Sequence, residues 1–204
     1  MIRCGRWISG MAATAMLVVA GHAPLEAQDA PLTAELPAIL TSCGQSPGPL
    51  QIKFFLNRLD IGHEFLDMAT AEDLKSHQAA GTPIKTLIIV TGASLKGMGA
   101  AGVSMREELI RTAALIAEAE AQGITIIGAH VEGMSRRAQG ADAGDNSDEQ
   151  SIDAVMPHSD LLIVRQDGDE DRRFSIISES LEIPLMLFEK NMEMGDVLSS
   201  VFNR

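Results

Sequence analysis

Strand-like and helix-like patterns alternate along this chain from about residue 38 to its end. Residues 124–129 are continuously apolar, which is typical of a parallel strand with both sheet faces covered. Comparable apolar runs predict strands at residues 38–41, 64–68, 85–90, 124–129, 161–164 and 183–188. Apolar residues at helical spacing predict helices at residues 49–59, 71–78, 105–122, 147–156, 170–181 and 194–202. The alternation predicts an α/β fold, a single doubly wound, Rossmann-like domain with a mostly parallel sheet of five or six strands.

The third predicted helix has the most specific end signals. Ser104 followed by Glu107 is a capping box, in which Ser104 is the N-cap and the Glu107 side chain reaches back to it. Gly123 is the predicted stop of the same helix. The glycine-rich segment 92–102 is therefore predicted to be a loop between a buried strand and this helix.

The N-terminus has the pattern of a secretory signal peptide. Arg3 and Arg6 form a basic region, residues 8–20 an apolar region and residues 25–27 a cleavage end. We expect the protein to be exported, to the periplasm or the extracellular space, without stable membrane insertion after cleavage. The expected division is a signal peptide at residues 1–27, a flexible lead-in at residues 28–37 and the folded domain at residues 38–204.

Composition limits the partners of the chain. The formal net charge is −12 at pH 7, which disfavours nucleic acid and anionic membrane surfaces. Aromatic residues make up only 3% of the chain and there is no tyrosine, which weakens carbohydrate stacking as a binding mode. We expect a small-molecule ligand and no nucleic acid, and an envelope protein partner stays open.

The glycine-rich segment 92–102 marks the candidate binding site. A glycine-rich turn before a helix brings backbone N–H groups to the helix N-terminus, where the dipole favours an anion. Ligands of doubly wound sheets bind beyond the carboxyl ends of the strands, where this segment is predicted to lie. The leading hypothesis is a protein that binds a small anionic metabolite, with Ser94 and Lys96 pointing inward and Arg136 or Arg137 closing over it. The predicted ligand-binding residues are Gln45, Ser46, Ser94, Lys96, Gly97, Gly99, Arg136 and Arg137.

Known cofactor motifs fit this segment poorly. Residues 97–102 match the dinucleotide fingerprint as a string, but Glu132, the acidic candidate, is 35 residues from Gly97, against about 20 expected. Met98 stands where a phosphate loop requires lysine. We predict no cofactor. We also predict no metal site, because no pair of histidines beyond the signal peptide has metal-ligand spacing.

Two other functions stay open, so whether the chain is an enzyme is undecided. One is a hydrolase or transferase that uses Cys43 or Ser46 as nucleophile, His130 as base and Glu132 to orient it. A helix follows Cys43, and its N-terminus would stabilise a thiolate. The other is an accessory or scaffold protein that acts through its surface.

Three segments carry a resemblance to a known family. They are residues 41–47 (Thr-Ser-Cys-Gly-Gln-Ser-Pro), residues 92–102 (Gly-Ala-Ser-Leu-Lys-Gly-Met-Gly-Ala-Ala-Gly) and residues 157–160 (Pro-His-Ser-Asp). With these segments the chain resembles an uncharacterised family of exported bacterial α/β proteins, a domain of unknown function. The resemblance implies an exported α/β domain, and it supplies no activity, ligand or catalytic residue.

Overall fold

The computed structural model describes residues 33–138 and 146–204. The strands are β1 Ala38–Cys43, β2 His63–Phe65, β3 Thr86–Thr91, β4 Thr125–His130, β5 Leu161–Arg165 and β6 Leu185–Phe188. The helices are α1 Gly48–Arg58, α2 Ala71–Ala79, α3 Leu95–Ala101, α4 Met105–Gln122, α5 Ser147–Val155, α6 Arg173–Leu181 and α7 Met194–Val201. Short 3-10 turns at Gly133–Arg136 and Gln166–Asp169 follow β4 and β5.

The six strands form one parallel sheet in the order β2-β1-β3-β4-β5-β6. Helices α1 and α7 cover one face, over buried residues such as Leu40 and Val90. Helices α2, α4, α5 and α6 cover the other, over residues such as Ile89 and Leu162. Helices on both faces explain why the central strands are apolar at successive positions. The predicted α/β class and Rossmann-like architecture are confirmed.

The end signals of the helices act largely as the sequence indicates. Ser104 Oγ accepts from Glu107 N at 3.3 Å, and Glu107 Oε2 accepts from Ser104 N at 2.8 Å. Gly123 ends α4 in the left-handed conformation at φ 66°. The N-cap of α5 is Asn146, whose side chain accepts from Glu149 N at 3.0 Å. Position 146 caps α5 because an Asn carbonyl reaches the N3 amide as a serine hydroxyl does.

Strands β2 and β6 are shorter than the runs predicted at residues 64–68 and 183–188. Two helical segments also differ from the sequence prediction. The segment 92–102 is not a loop throughout, because it contains α3, whose N-cap Ser94 accepts from Gly97 N at 3.0 Å. The helix predicted at residues 170–181 begins only at Arg173. Asp169 Oδ1 accepts from Phe174 N at 2.7 Å, so this carboxylate binds the amides of the first turn and fixes the later start.

The N-terminal predictions fall mostly outside the described residues. The signal peptide at residues 1–27 and residues 28–32 of the lead-in lie there. Ala34 is buried, and its N donates to Val201 O at 2.9 Å. The described end of the lead-in is therefore held against α7. No helix within residues 33–138 and 146–204 is both long and apolar enough to cross a membrane.

Candidate functional site

The strand order reverses between β1 and β3, because β2 lies on one side of β1 and all later strands lie on the other. A crevice for ligands forms at such a point, beyond the carboxyl ends of the strands. The loops that leave β1, β3 and β4 converge here. This edge of the sheet is the candidate site.

The loop after β1 is packed tightly against the loop after β3. Gly44 has a φ of 101° and Gln45 a φ of 59°, so both adopt the left-handed region. Gly44 O accepts from Ser94 N at 2.7 Å. A Cβ on Gly44 would lie 2.6 Å from Gly92 O, so only glycine allows this approach.

A buried ion pair on α4 forms hydrogen bonds with the loop after β1. Glu108 Oε2 accepts from Gly44 N at 2.9 Å, from Gln45 Nε2 at 3.0 Å and from Arg111 Nη2 at 2.9 Å. Burial alone would raise the pKa of the Glu108 carboxyl, but the hydrogen bonds from Arg111, Gln45 and Gly44 hold it below its usual value. Gln45, predicted to bind a ligand, is therefore engaged within the protein.

Sequence reasoning overlooked Glu108 because it searched only the loops at this edge. The helical spacing of the buried residues of α4 could have indicated it. Glu108 lies in the buried stripe of α4 together with Thr112, Leu115 and Ala119, at spacings of three and four residues. A carboxylate within an apolar stripe indicates a buried partner.

Ser46, Glu132 and Arg136 come together where the three loops meet. The amide of Gly48, which begins α1, lies 3.3 Å from Ser46 Oγ and 3.2 Å from Glu132 Oε2, and donates to both. Arg136 Nε donates to Glu132 Oε1 at 3.3 Å, and Arg136 Nη1 donates to Ala93 O at 2.8 Å. The Arg136 side chain is 26% exposed, and its Nη2 donates to none of the described residues. We call these three residues the Ser46–Glu132–Arg136 cluster.

The backbone amides of the loop after β3 are bound by acceptors from α5. Gly92 N donates to Ser151 Oγ at 3.0 Å and Ala93 N to Asp148 Oδ1 at 2.7 Å. Burial raises the pKa of the Asp148 carboxyl, against the lowering effect of the Ala93 hydrogen bond. Because buried N–H groups need partners, the protein supplies its own acceptors here. These amides are not free for an anion.

Four predicted ligand-binding residues belong to α3 and its cap. Ser94 is engaged as the N-cap, and Lys96 is an exposed residue of α3. Gly97 packs on the loop after β1, since a Cβ there would lie 2.1 Å from Gln45 O. Gly99 is exposed, with open space around it. The structure therefore replaces the expected loop with a helical turn, and Ser94 caps that turn.

Arg137, predicted to close over a ligand, is buried in an internal ion-pair network. Its side chain is 0% exposed, with Nε 2.7 Å from Glu149 Oε1 and Nη2 2.6 Å from Asp171 Oδ2. Its Nη1 donates to Gly168 O, and its guanidinium lies 5.3 Å from the centroid of the Phe174 ring. Arg137 therefore joins the turn after β4 to the start of α5 and α6. It is not a ligand-binding group.

The predicted arrangement of Cys43, His130 and Glu132 is not assembled. Burial raises the pKa of the Cys43 thiol to about 11. Burial lowers the pKa of His130 to about 4, and its Nε2 donates to Gly133 O at 3.0 Å while its Nδ1 lies 3.1 Å from Thr91 Oγ1. Glu132 binds Gly48 and Arg136 instead of orienting this imidazole. A buried thiol of raised pKa and a histidine with both nitrogens engaged do not match the activated pair that this hypothesis requires.

The serine version of the hydrolase hypothesis meets a further obstacle. Residues 44–48 read Gly-Gln-Ser-Pro-Gly, a G-x-S-x-G string between a strand and a helix, which is the context of a nucleophile elbow. An elbow uses the backbone N–H of the residue after the serine in its oxyanion hole. That residue is Pro47, which has no N–H. The segment around Ser46 therefore lacks one backbone donor that an elbow uses.

We expect Cys43 to react slowly with iodoacetamide in the folded protein. A pKa about two units above the ordinary 9.0 leaves roughly a hundredfold less thiolate at neutral pH, and burial blocks access further. A Cys4→Ser variant leaves Cys43 as the single thiol, and mass spectrometry follows its alkylation at pH 7.5. The same variant in 6 M guanidinium is the control. Equal rates in the folded and unfolded states would contradict the buried, protonated thiol.

Comparison with known proteins gives a family and a weak structural likeness. The psychrotrophic esterase EstA from Pseudoalteromonas sp., in a structure inhibited by monoethylphosphonate, is 11% identical, with a TM-score of 0.34 over 81% of this chain and 94% of the esterase. At that score the likeness supports no functional argument. No curated protein matches the chain. The model of a domain of unknown function, DUF6305, matches residues 35–202, nearly the whole described domain. The chain therefore belongs to the DUF6305 family.

Proposed function

We propose that this protein is an exported binding protein for a small anionic ligand, held at the Ser46–Glu132–Arg136 cluster. The observation that carries the proposal is the partly exposed guanidinium of Arg136 at the strand-order reversal, with Nη2 donating to none of the described residues. Guanidinium groups bind carboxylates and phosphates through charge-assisted hydrogen bonds. Export rests on the basic and apolar pattern of residues 1–27.

The surroundings of Arg136 support binding without turnover. The Ser46 hydroxyl is close by, since a Cβ on Gly92 would lie 3.1 Å from Ser46 Oγ and 3.3 Å from Arg136 Cγ. The N-terminus of α1, which begins at Gly48, adds a favourable dipole. Neither Cys43 nor His130 is placed to act on a ligand there. The cluster thus offers donors to an anion and lacks an activated nucleophile.

Glu132 limits the affinity of the site for an anion. Its carboxylate neutralises Arg136 and occupies the Gly48 amide, so it competes with any incoming anion. A Glu132→Gln variant keeps an acceptor for Gly48 and removes the like charge. We therefore expect weak anion binding in the natural protein and binding about tenfold tighter in this variant.

The test is a thermal-shift titration with acetate and inorganic phosphate. A ligand that binds only the folded state raises Tm by mass action. Arg136→Ala should weaken binding by about 10- to 100-fold, because one charge-assisted hydrogen bond contributes about 1.5–3 kcal/mol. Lys96→Ala is the matched control, since Lys96 is an exposed cation on the neighbouring α3. A shift that survives Arg136→Ala, or disappears with Lys96→Ala, would refute this placement of the site.

A further inference from the structure

An apolar groove lies between α1 and the connection from β6 to α7. It has a volume of about 500 Å³, and its lining includes Pro47, Leu50, Phe54 and Met192. Leu50, Phe54 and Met192 are 55%, 56% and 62% exposed. Large apolar side chains exposed together in a concavity are typical of a binding surface rather than of ordinary protein exterior.

The floor of the groove is formed by fixed packing between the two helices. The Phe55 ring, which also lines the groove, meets the Phe54 ring edge-on with centroids 5.1 Å apart. Gly195 in the first turn of α7 lies against that ring, where a Cβ would be 3.1 Å from Phe55 Cδ1. Because Phe55 is 5% exposed and packs against α7, the floor of the groove is fixed by contact between the two helices.

The groove begins next to the proposed anion site. Pro47 lines it and directly follows Ser46, and Leu50 and Gln51 belong to the first turns of α1. The groove and the Ser46–Glu132–Arg136 cluster are therefore joined through the adjacent residues Ser46 and Pro47.

We infer that the ligand is amphipathic, with an anionic head at Arg136 and an apolar chain in the groove between α1 and the β6–α7 connection. This inference rests on the proposed function, because it takes the anion site at Arg136 as the place of the head. The Arg136 guanidinium would bind the anionic head of such a molecule, and the exposed apolar side chains of the groove would contact its chain.

The test is calorimetric titration of the full chain with a series of straight-chain carboxylates from acetate to decanoate. Each methylene that enters the groove should tighten binding about fourfold until the groove is filled. Phe54→Asp should remove this dependence on chain length, so that decanoate binds this variant no more tightly than acetate does. Ile110→Asp is the matched control, because Ile110 is a 60% exposed residue of α4 on the opposite face of the sheet.

The outcomes separate this inference from the proposed function. Arg136→Ala should weaken every member of the series by the same factor. Equal affinity for all chain lengths, with that Arg136 dependence intact, would overturn the amphipathic ligand alone. If affinity rose with chain length but Arg136→Ala left every affinity unchanged, the anion site would be overturned, and this inference with it. A Phe54→Asp variant that changes the sedimentation coefficient but not the chain-length dependence would assign the groove to contact between copies of the chain, and overturn the inference.

Discussion

Replacing Gly97 with alanine will destabilise the folded protein by about 3 kcal/mol, whereas the same change at Gly99 will be neutral or slightly stabilising. Both glycines lie in α3, two residues apart. A Cβ on Gly97 would lie 2.1 Å from the backbone oxygen of Gln45, which cannot rotate away. A Cβ on Gly99 meets nothing within 4 Å. Overpacking against backbone is strongly destabilising, while Gly→Ala in an open helix position gains about 0.5–1 kcal/mol.

Urea unfolding followed by circular dichroism measures both variants against the unchanged chain. Gly99→Ala controls for helix propensity, so the difference between the variants reports the contact between α3 and the loop after β1. Gly97→Ala should also weaken anion binding, because that loop carries Ser46. Equal midpoints for the two variants would show that α3 does not pack on Gln45.

The fold was predictable because its signals are local. Six apolar runs, a capping box at Ser104 and a glycine stop at Gly123 each act within a few residues, and each takes the predicted role. The errors at the ends of the helices are small for the same reason. The helix predicted at residues 170–181 begins three residues later, at Arg173.

The candidate site was predictable only in part, because its chemistry depends on distant partners. The sequence places Ser46, Glu132 and Arg136 beyond the carboxyl ends of the strands, since all three follow strands, and the structure brings them together there. It does not reveal that the amides of Gly92 and Ala93 donate hydrogen bonds to Ser151 and Asp148, which are more than fifty residues away.

Arg136 and Arg137 show this limit most clearly. They are adjacent in sequence and equivalent in charge. In the structure Arg136 is 26% exposed beside Glu132, whereas the Arg137 side chain is 0% exposed. A 3-10 turn that ends at Arg136 sends the two side chains to different partners. No local pattern distinguishes two neighbouring arginines, because the distinction comes from Glu149 and Asp171.

Arg137→Ala should therefore lower stability by about 3–5 kcal/mol, the usual result of removing one partner from a buried ion pair. Glu149, whose side chain is also 0% exposed, would keep its charge without its closest partner. Arg173 Nε lies 3.2 Å from Glu149 Oε2, but its guanidinium is also paired with Asp153 and cannot replace both contacts. The expected fall in Tm is about 6–20 °C for a domain of this size.

Arg172→Ala is the matched control, because Arg172 pairs with Glu179 at the surface, where both side chains are about two-thirds exposed at 65% and 64%. An exposed pair contributes about 0–1 kcal/mol, so this variant should melt within a few degrees of the unchanged chain. Calorimetry in low and high salt adds a second distinction, since salt screens the exposed pair and leaves the buried one nearly unaffected. If Arg137→Ala and Arg172→Ala melted at the same temperature, the network around Glu149 would not hold the turn after β4 in place. The position of Arg136 at the proposed site depends on that turn, so Arg137→Ala should weaken anion binding although Arg137 touches no ligand.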